Sequence, residues 1–323
     1  MRTLSKVLAL TVSLVLAKAG VGQVTGHHTM WTYTVLQDNP AAAGNLFSLD
    51  AALSYRKQWL DLEGSPSTTR ASLGAPVYRI NSGAYFGIER DELGVRRNTT
   101  LRGAFAYRLI RSEHLDVSVG LGASFRQADL NGSALRTDDG IYEGGTVEHL
   151  DDLLARGPVN GSTFGVDVGV EARYKSYTLG VSVRDVNAPV ADFELGATTW
   201  PRVASAYARA LLPVWELVEL DAGALVYTDF AVTQAQASVT AWYGGNIGVG
   251  GAFRGAGATT LDAVSLLLGW RPSASLTVAY SYDYGLSDLS GVHENTHEVA
   301  LRYVMSTPIG KGKLPPIIFN PRL

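Results

Sequence analysis

Cysteine is absent from this chain, so neither a disulfide framework nor a thiolate metal site is open to it. The absence is compatible with an oxidising envelope compartment. Positive charge is not in excess either. With 27 Lys and Arg against 30 Asp and Glu, the formal net charge is -3, and the isoelectric point lies near 6.1. No basic face with interleaved aromatics occurs, which excludes a general attraction to nucleic acid. Long apolar runs are missing too. Past the first residues nothing approaches the roughly 20 apolar residues of a spanning helix, so any insertion into a bilayer must use strands.

What is present begins with a secretory leader. Arg2 and Lys6 precede an apolar run from Val7 to Ala17, followed by small residues around Ala17 and Ala19. Residues 1–19 are therefore expected to be a signal peptide, with cleavage between 19 and 22. Glycine, at 35 residues, exceeds the roughly 7% average. Tyr at 15 outnumbers Phe at 9, as interfacial aromatic girdles favour.

The most informative stretch runs from Phe164 to Arg184. Phe164, Val166, Val168, Val170, Ala172 and Tyr174 share one face, and Gly165, Asp167, Gly169, Glu171 and Arg173 share the other. After Lys175 and Ser176, the residues Tyr177, Leu179, Val181 and Val183 resume the apolar face. A period of two held for about ten residues fits a strand tilted across a bilayer. The second face mixes glycines with charges of both signs, which suits a crowded, wet barrel lumen better than bulk water. The expected fold is all-β, a transmembrane antiparallel β-barrel.

The same pattern predicts strands near Phe47–Tyr55, Thr68–Pro76, Gly83–Arg90, Thr99–Ile110 and His114–Gln127. After the Phe164–Arg184 pair come Pro201–Leu212, Trp215–Thr228, Val232–Trp242, Asn246–Arg254, Asp262–Arg271, Ser275–Tyr284 and Glu294–Met305. The total is about fourteen, an even number that leaves both ends in the periplasm. Connections at Arg79, Ser112, Ser176, Pro213, Gly244–Gly245 and Pro272–Ser273 are very short. Those at Lys57–Ser67, Ala128–Gly161, Asp185–Trp200 and Gly285–His293 are mostly long. Short inner turns alternating with long outer loops are the habit of outer-membrane barrels. Within the longest loop a small helix is predicted over Val147–Arg156, with Thr146 as N-cap and Gly157–Pro158 as the stop. Its Glu148, Asp151 and Asp152 read as a solvated cap, since they lack a calcium-loop spacing.

Motifs of chemistry are weak. His293, Glu294 and His297 satisfy the H-E-x-x-H pattern of zinc peptidases, which requires a helix to bring the imidazoles together. Gly285 and Gly291 precede it and an alternating strand follows, so the two rings are expected about 13 Å apart. No Ser, His and acid signature marks a hydrolase. The glycines at 120, 122, 248, 250 and 251 open no helix and cradle no phosphate. The expectation is a non-enzymatic protein with no cofactor and no metal.

The inward face carries Arg102, Arg108, Asp116, Arg126, Asp167, Glu171, Arg173, Arg254, Arg271, Asp283, Glu298 and Arg302. Such charges either line a selective pore or neutralise one another in a hydrogen-bonded network that closes it, and the closed network is the favoured reading.

Several stretches resemble the PorP/SprF family of outer-membrane proteins of the Bacteroidetes type IX secretion system. Asn39-Pro40-Ala41-Ala42-Ala43-Gly44 is similar to its N-P-A-x-x-G element. Tyr55-Arg56-Lys57-Gln58-Trp59, with Gly64, Pro66 and Thr68 behind it, is similar to Y-R-x-Q-W and G-x-P-x-T. Tyr280-Ser281-Tyr282-Asp283, Ser287, Leu289, His297, Glu298, Leu301 and Tyr303 resemble its final hairpin. Phe319-Asn320-Pro321-Arg322 is similar to a terminal F-N-P-R. His293 and the loop from Ala128 to Gly161 match nothing in that pattern.

The resemblance implies a component that assists secretion or surface attachment of adhesins, serving gliding motility in some members. It also implies periplasmic partners, including peptidoglycan-associated lipoproteins or OmpA-like proteins, other type IX components and the secreted adhesin itself. The alternative is a small-solute porin or hydrophobic-compound channel.

The chain thus divides into a leader, a periplasmic N-terminal segment at 20–45, a barrel at 46–305 in contact with outer-membrane lipid, and a periplasmic tail at 306–323. Pro308, Pro315, Pro316 and Pro321 favour an extended tail. In it, Ile317, Ile318, Phe319, Asn320, Pro321 and Arg322 are docking candidates. A tail folded back against the barrel floor is the competing reading.

Overall fold

A computed structural model describes residues 26, 28–44, 48–143, 146–152, 154–193, 196–256, 260–286 and 295–305. The expected leader, the tail with its docking candidates, the His293–Glu294 pair and Phe47 lie outside the described residues.

The first half of the wall is β1 (Asp50–Lys57), β2 (Ser67–Val77), β3 (Ser82–Leu93), β4 (Arg96–Arg111), β5 (Leu115–Asn131), β6 (Pro158–Tyr174) and β7 (Tyr177–Arg184). A short hairpin, β8 (Val190–Phe193) with β9 (Gly196–Thr199), stands apart as its own two-stranded sheet. The wall resumes with β10 (Val203–Trp215), β11 (Val218–Thr228), β12 (Thr233–Tyr243), β13 (Ile247–Ala256), β14 (Thr260–Trp270), β15 (Leu276–Gly285) and β16 (Thr296–Val304). Every wall strand pairs antiparallel with its neighbours, and β1 pairs with β16 from Asp50↔Val304 to Lys57↔His297, closing fourteen strands. Closure removes the unpaired edges that lipid does not tolerate.

The period of two fixes which side of the wall each residue takes. On β6, Val166, Val168 and Val170 stand exposed on the outer surface while Asp167 between them is fully buried. Tyr174, Tyr177, Trp215, Tyr243 and Trp270 are exposed beside the short turns, forming an aromatic girdle at the periplasmic rim.

The wall departs from expectation in a few places. Pro213 is not a turn but lies within β10 at a bulge, which suits a residue that cannot donate to the ladder, and the chain reverses at 216–217. β5 and β6 run further outward than the apolar alternation indicates, ending at the pair Asn131↔Pro158, because polar residues continue the ladder above the membrane. The β8–β9 hairpin fills the loop after β7. Its Ala191 and the following Trp200 pack on Ala128, on the inward side of β5, so the hairpin leans over the barrel mouth.

The helix expected over Val147–Arg156 is absent. Glu148 bridges Ile141 as in a strand, and Leu150 takes a left-handed φ of 53°. Buried His149 explains the choice: its Nε2 faces the carbonyls of Gly132 (3.1 Å) and Ala155 (3.0 Å), and the Tyr142 hydroxyl lies 3.0 Å from Nδ1. These contacts span the loop and outweigh the local preference of a short helix. Glu148 pairs with Arg156 at 2.7 Å.

Candidate functional site in the filled lumen

The largest difference from expectation concerns the segment 20–45. Residues 28–44 do not sit below the barrel but run through its interior as a strap. Three short 3-10 turns, Trp31–Tyr33, Val35–Gln37 and Pro40–Ala42, give it shape. Met30 packs with Ala252, Leu267, Ala279 and Ala300, Trp31 with Tyr207 and Leu225, and Leu36 with Tyr85 and Ala106. All of these wall residues face inward, so the strap supplies the apolar core that the barrel would otherwise lack.

The element Asn39 to Gly44 shows how the sequence makes this fit. Asn39 caps the third turn by accepting from Ala41 N at 2.9 Å, and Pro40 occupies the first position, where no amide donor is needed. The Asn39 amide donates outward to the Val170 carbonyl (3.1 Å) and the Tyr207 hydroxyl (3.2 Å). Ser118 donates to the Ala41 carbonyl at 2.7 Å. A side chain at Gly120 would strike the backbone of Pro40 and Ala41, and one at Gly169 would strike the Asn39 amide. Glycines on the inward face therefore clear a track for the strap, rather than merely letting the wall curve.

Ion pairs fasten the strap to the wall and the wall to itself. Arg56, fully buried, reaches Asp283 at 2.7 Å and Glu298 at 3.0 Å. Thr29 of the strap completes this group: its amide donates to Glu298 (2.9 Å) and its hydroxyl to Asp283 (2.7 Å). Asp38 of the strap stands between Arg184 (3.3 Å) and Arg70 (3.7 Å), and Arg70 also holds Glu89 at 2.6 Å. Further around, Arg102 pairs with Asp167 (2.9 Å) and Arg126 with Asp185 (2.6 Å). Arg173 pairs with Asp116 (3.2 Å), Arg209 with Asp221 (2.7 Å) and Arg302 with Asp50 (2.9 Å). Arg271 stacks over Trp242 at 3.6 Å. Charges this deep persist because each has a partner.

The inward charges named from the sequence are thus gathered into a mutually neutralising network, as the closed-lumen reading expects. Sequence reasoning missed Thr29, Asp38, Asp50, Arg70, Glu89, Asp185, Arg209 and Asp221. Inward phase on the strands was a signal for Arg70, Glu89 and Asp221, whereas nothing local marks Thr29 or Asp38. Three of the spaces left between strap and wall hold about 20, 50 and 20 Å³, room for a few waters.

The motif positions separate into two roles. Arg56 and Glu298 lie opposite each other on β1 and β16 and form one ion pair, so two distant motifs meet in space. Asn39, Pro40 and Gly44 belong to the strap. The Gln58 backbone N–H donates to the Pro66 carbonyl at 2.9 Å just above β1, and Trp59 follows with a left-handed φ of 49°. His297 points away from the lumen, with Nδ1 2.6 Å from the Tyr280 hydroxyl. Because β16 alternates, His297 and Glu298 face opposite sides of the wall.

A closed fourteen-stranded barrel with an apolar belt, an aromatic rim and a lumen filled by its own N-terminal strap defines an outer-membrane protein. Residues 22–303 match the type IX secretion system membrane protein PorP/SprF family, and the chain belongs to it. No curated protein matches the sequence. Among solved structures, the Ralstonia pickettii toluene transporter TbuX is similar over 89% of this chain and 96% of its own, at 11% identity and a TM-score of 0.50. The CymD monoaromatic hydrocarbon channel is similar over 89% and 95%, at 13% identity and 0.49. The Acinetobacter baumannii outer membrane protein Omp33 covers 80% and 98%, at 6% identity and 0.43. At 11% identity the likeness to TbuX speaks to the barrel fold alone.

Proposed function

We propose that this barrel is a non-enzymatic docking component of the type IX machinery, assisting secretion or surface attachment of adhesins by holding periplasmic and cargo partners. Family membership over residues 22–303 carries the reading. The filled lumen supports docking over conduction: a solute channel needs a continuous wet path, and here the strap and paired charges occupy it.

On this reading the tail from 306 to 323 contacts periplasmic partners of the peptidoglycan-associated or OmpA-like kind. Ile317, Ile318 and Phe319 serve as its apolar anchor and Lys311, Lys313 and Arg322 as its charge. Truncation after Met305 tests it. A heat-stable barrel that loses its periplasmic crosslinks and its adhesin display is the expected result. Unchanged adhesin display removes tail docking, and loss of the barrel itself assigns the tail to bracing.

A further inference from the structure

The strap has a direction. Its first described residue, Gly26, stands beside Thr68 and Asp91, at the start of β2 and the end of β3, where the loop 58–66 and the turn 94–95 join the strands. Thr29 holds Asp283 near the end of β15, and its carbonyl accepts from Gln236 Nε2 (2.7 Å) near the start of β12, the same end of the barrel. Further along, Gln37 donates to the Ala71 carbonyl at 3.2 Å, in the middle of β2. Ala41 accepts from Ser118, close to the beginning of β5, and Gly44 abuts Pro76 and Gly83, at the end of β2 and the start of β3. Each step moves from the long-loop end toward the short-turn end. At roughly 2 Å per residue for 3-10 geometry, residues 28–44 cover about 34 Å, more than an apolar band of about 25 Å.

We propose that the strap threads the barrel from its cell-surface mouth to its periplasmic rim, so that Gly26 stands at the cell surface although β1 begins at the periplasmic side. Short turns in outer-membrane barrels are periplasmic, which sets the orientation. The leading end of the strap then faces the cell exterior and is closed to periplasmic proteins. It is independent of the docking role proposed for the tail.

The lack of native cysteine makes the test clean. Gly26 is exposed, and a Cβ there would meet its neighbours only at 3.8 Å or beyond, so Gly26→Cys is accommodated. Intact cells carrying Gly26→Cys, Glu63→Cys in the loop 58–66, or Glu113→Cys in the short turn before β5 are treated with a membrane-impermeant maleimide. Gly26→Cys is expected to label like Glu63→Cys, and Glu113→Cys only after the outer membrane is permeabilised.

Labelling of Gly26→Cys that needs permeabilisation overturns the proposal, as does a reversed order of the two controls. So does failure to label in the folded, detergent-purified protein. The pair Gly26→Cys with Thr68→Cys supplies a second readout: oxidation should shift its gel mobility, and no shift contradicts the placement of the strap end at the β2 start.

Discussion

Val168 and Asn39 lie on opposite sides of the same strand, β6, and reach their places by different physics. Val168 is held by phase alone. Alternation puts it outward, lipid rewards an apolar side chain there, and any neighbour two residues along says the same. Asn39 is held by partners 131 and 168 residues away, the Val170 carbonyl and the Tyr207 hydroxyl, and by a glycine that leaves it room. The wall is therefore specified locally and repeatedly, while the strap is specified by a few long-range contacts, each of which matters individually.

Breaking the strap's anchor should have the largest effect. Arg56→Ala leaves Asp283 and Glu298 buried with their main partner gone, and removing one member of such a group costs about 3–5 kcal/mol. Urea unfolding of protein folded into lipid vesicles measures it, and a loss under 1 kcal/mol would mean the ion group does not hold the lumen together. On the wall side, Val168→Arg should cost about 2–4 kcal/mol if the site lies near the bilayer midplane. Equal folding from detergent into bilayers would contradict its lipid-facing position.

Glycines sharpen the comparison further. Gly120→Val forces a side chain into the Pro40–Ala41 backbone and should cost about 1–3 kcal/mol, as overpacking does. Gly103→Ala on the same sheet meets nothing closer than 4.0 Å and should stay within about 0.5 kcal/mol. Equal tolerance at the two sites would separate glycine from the strap's track. A modest loss is expected at His297→Ala, which gives up one hydrogen bond to Tyr280, about 1 kcal/mol. Metal content should be the same in the wild type and in the His293→Ala, His297→Ala double variant. Stoichiometric zinc that disappears in the double variant would restore a metal role to the motif.

These contrasts explain what could be read in advance. All fourteen wall strands were legible, because residues such as Val166, Val168 and Val170 repeat one message at a fixed spacing and lipid makes that message strict. The strap was not. His28 to Gly44 has no period, its few apolar residues are spaced irregularly, and the contacts that place it join residues up to 269 positions apart, as between Thr29 and Glu298. Its one local trace was the excess of inward glycines, which reads equally as curvature. The β8–β9 hairpin escaped notice because four-residue strands are too short to show alternation. The expected helix over Val147–Arg156 failed at His149, whose buried ring answers to carbonyls elsewhere in the loop. Arg56 and Glu298 were each visible as motif positions, yet only the closure of β1 on β16 reveals that they are one interaction.

Planar-bilayer recording of the purified, full-length protein tests most directly whether the lumen is closed by its strap and paired charges. Little or no steady conductance is the expected result, because Met30, Trp31, Leu36 and the Arg56 group occupy the lumen. Large, uniform, ion-selective steps from the unmodified protein would contradict it and favour a channel.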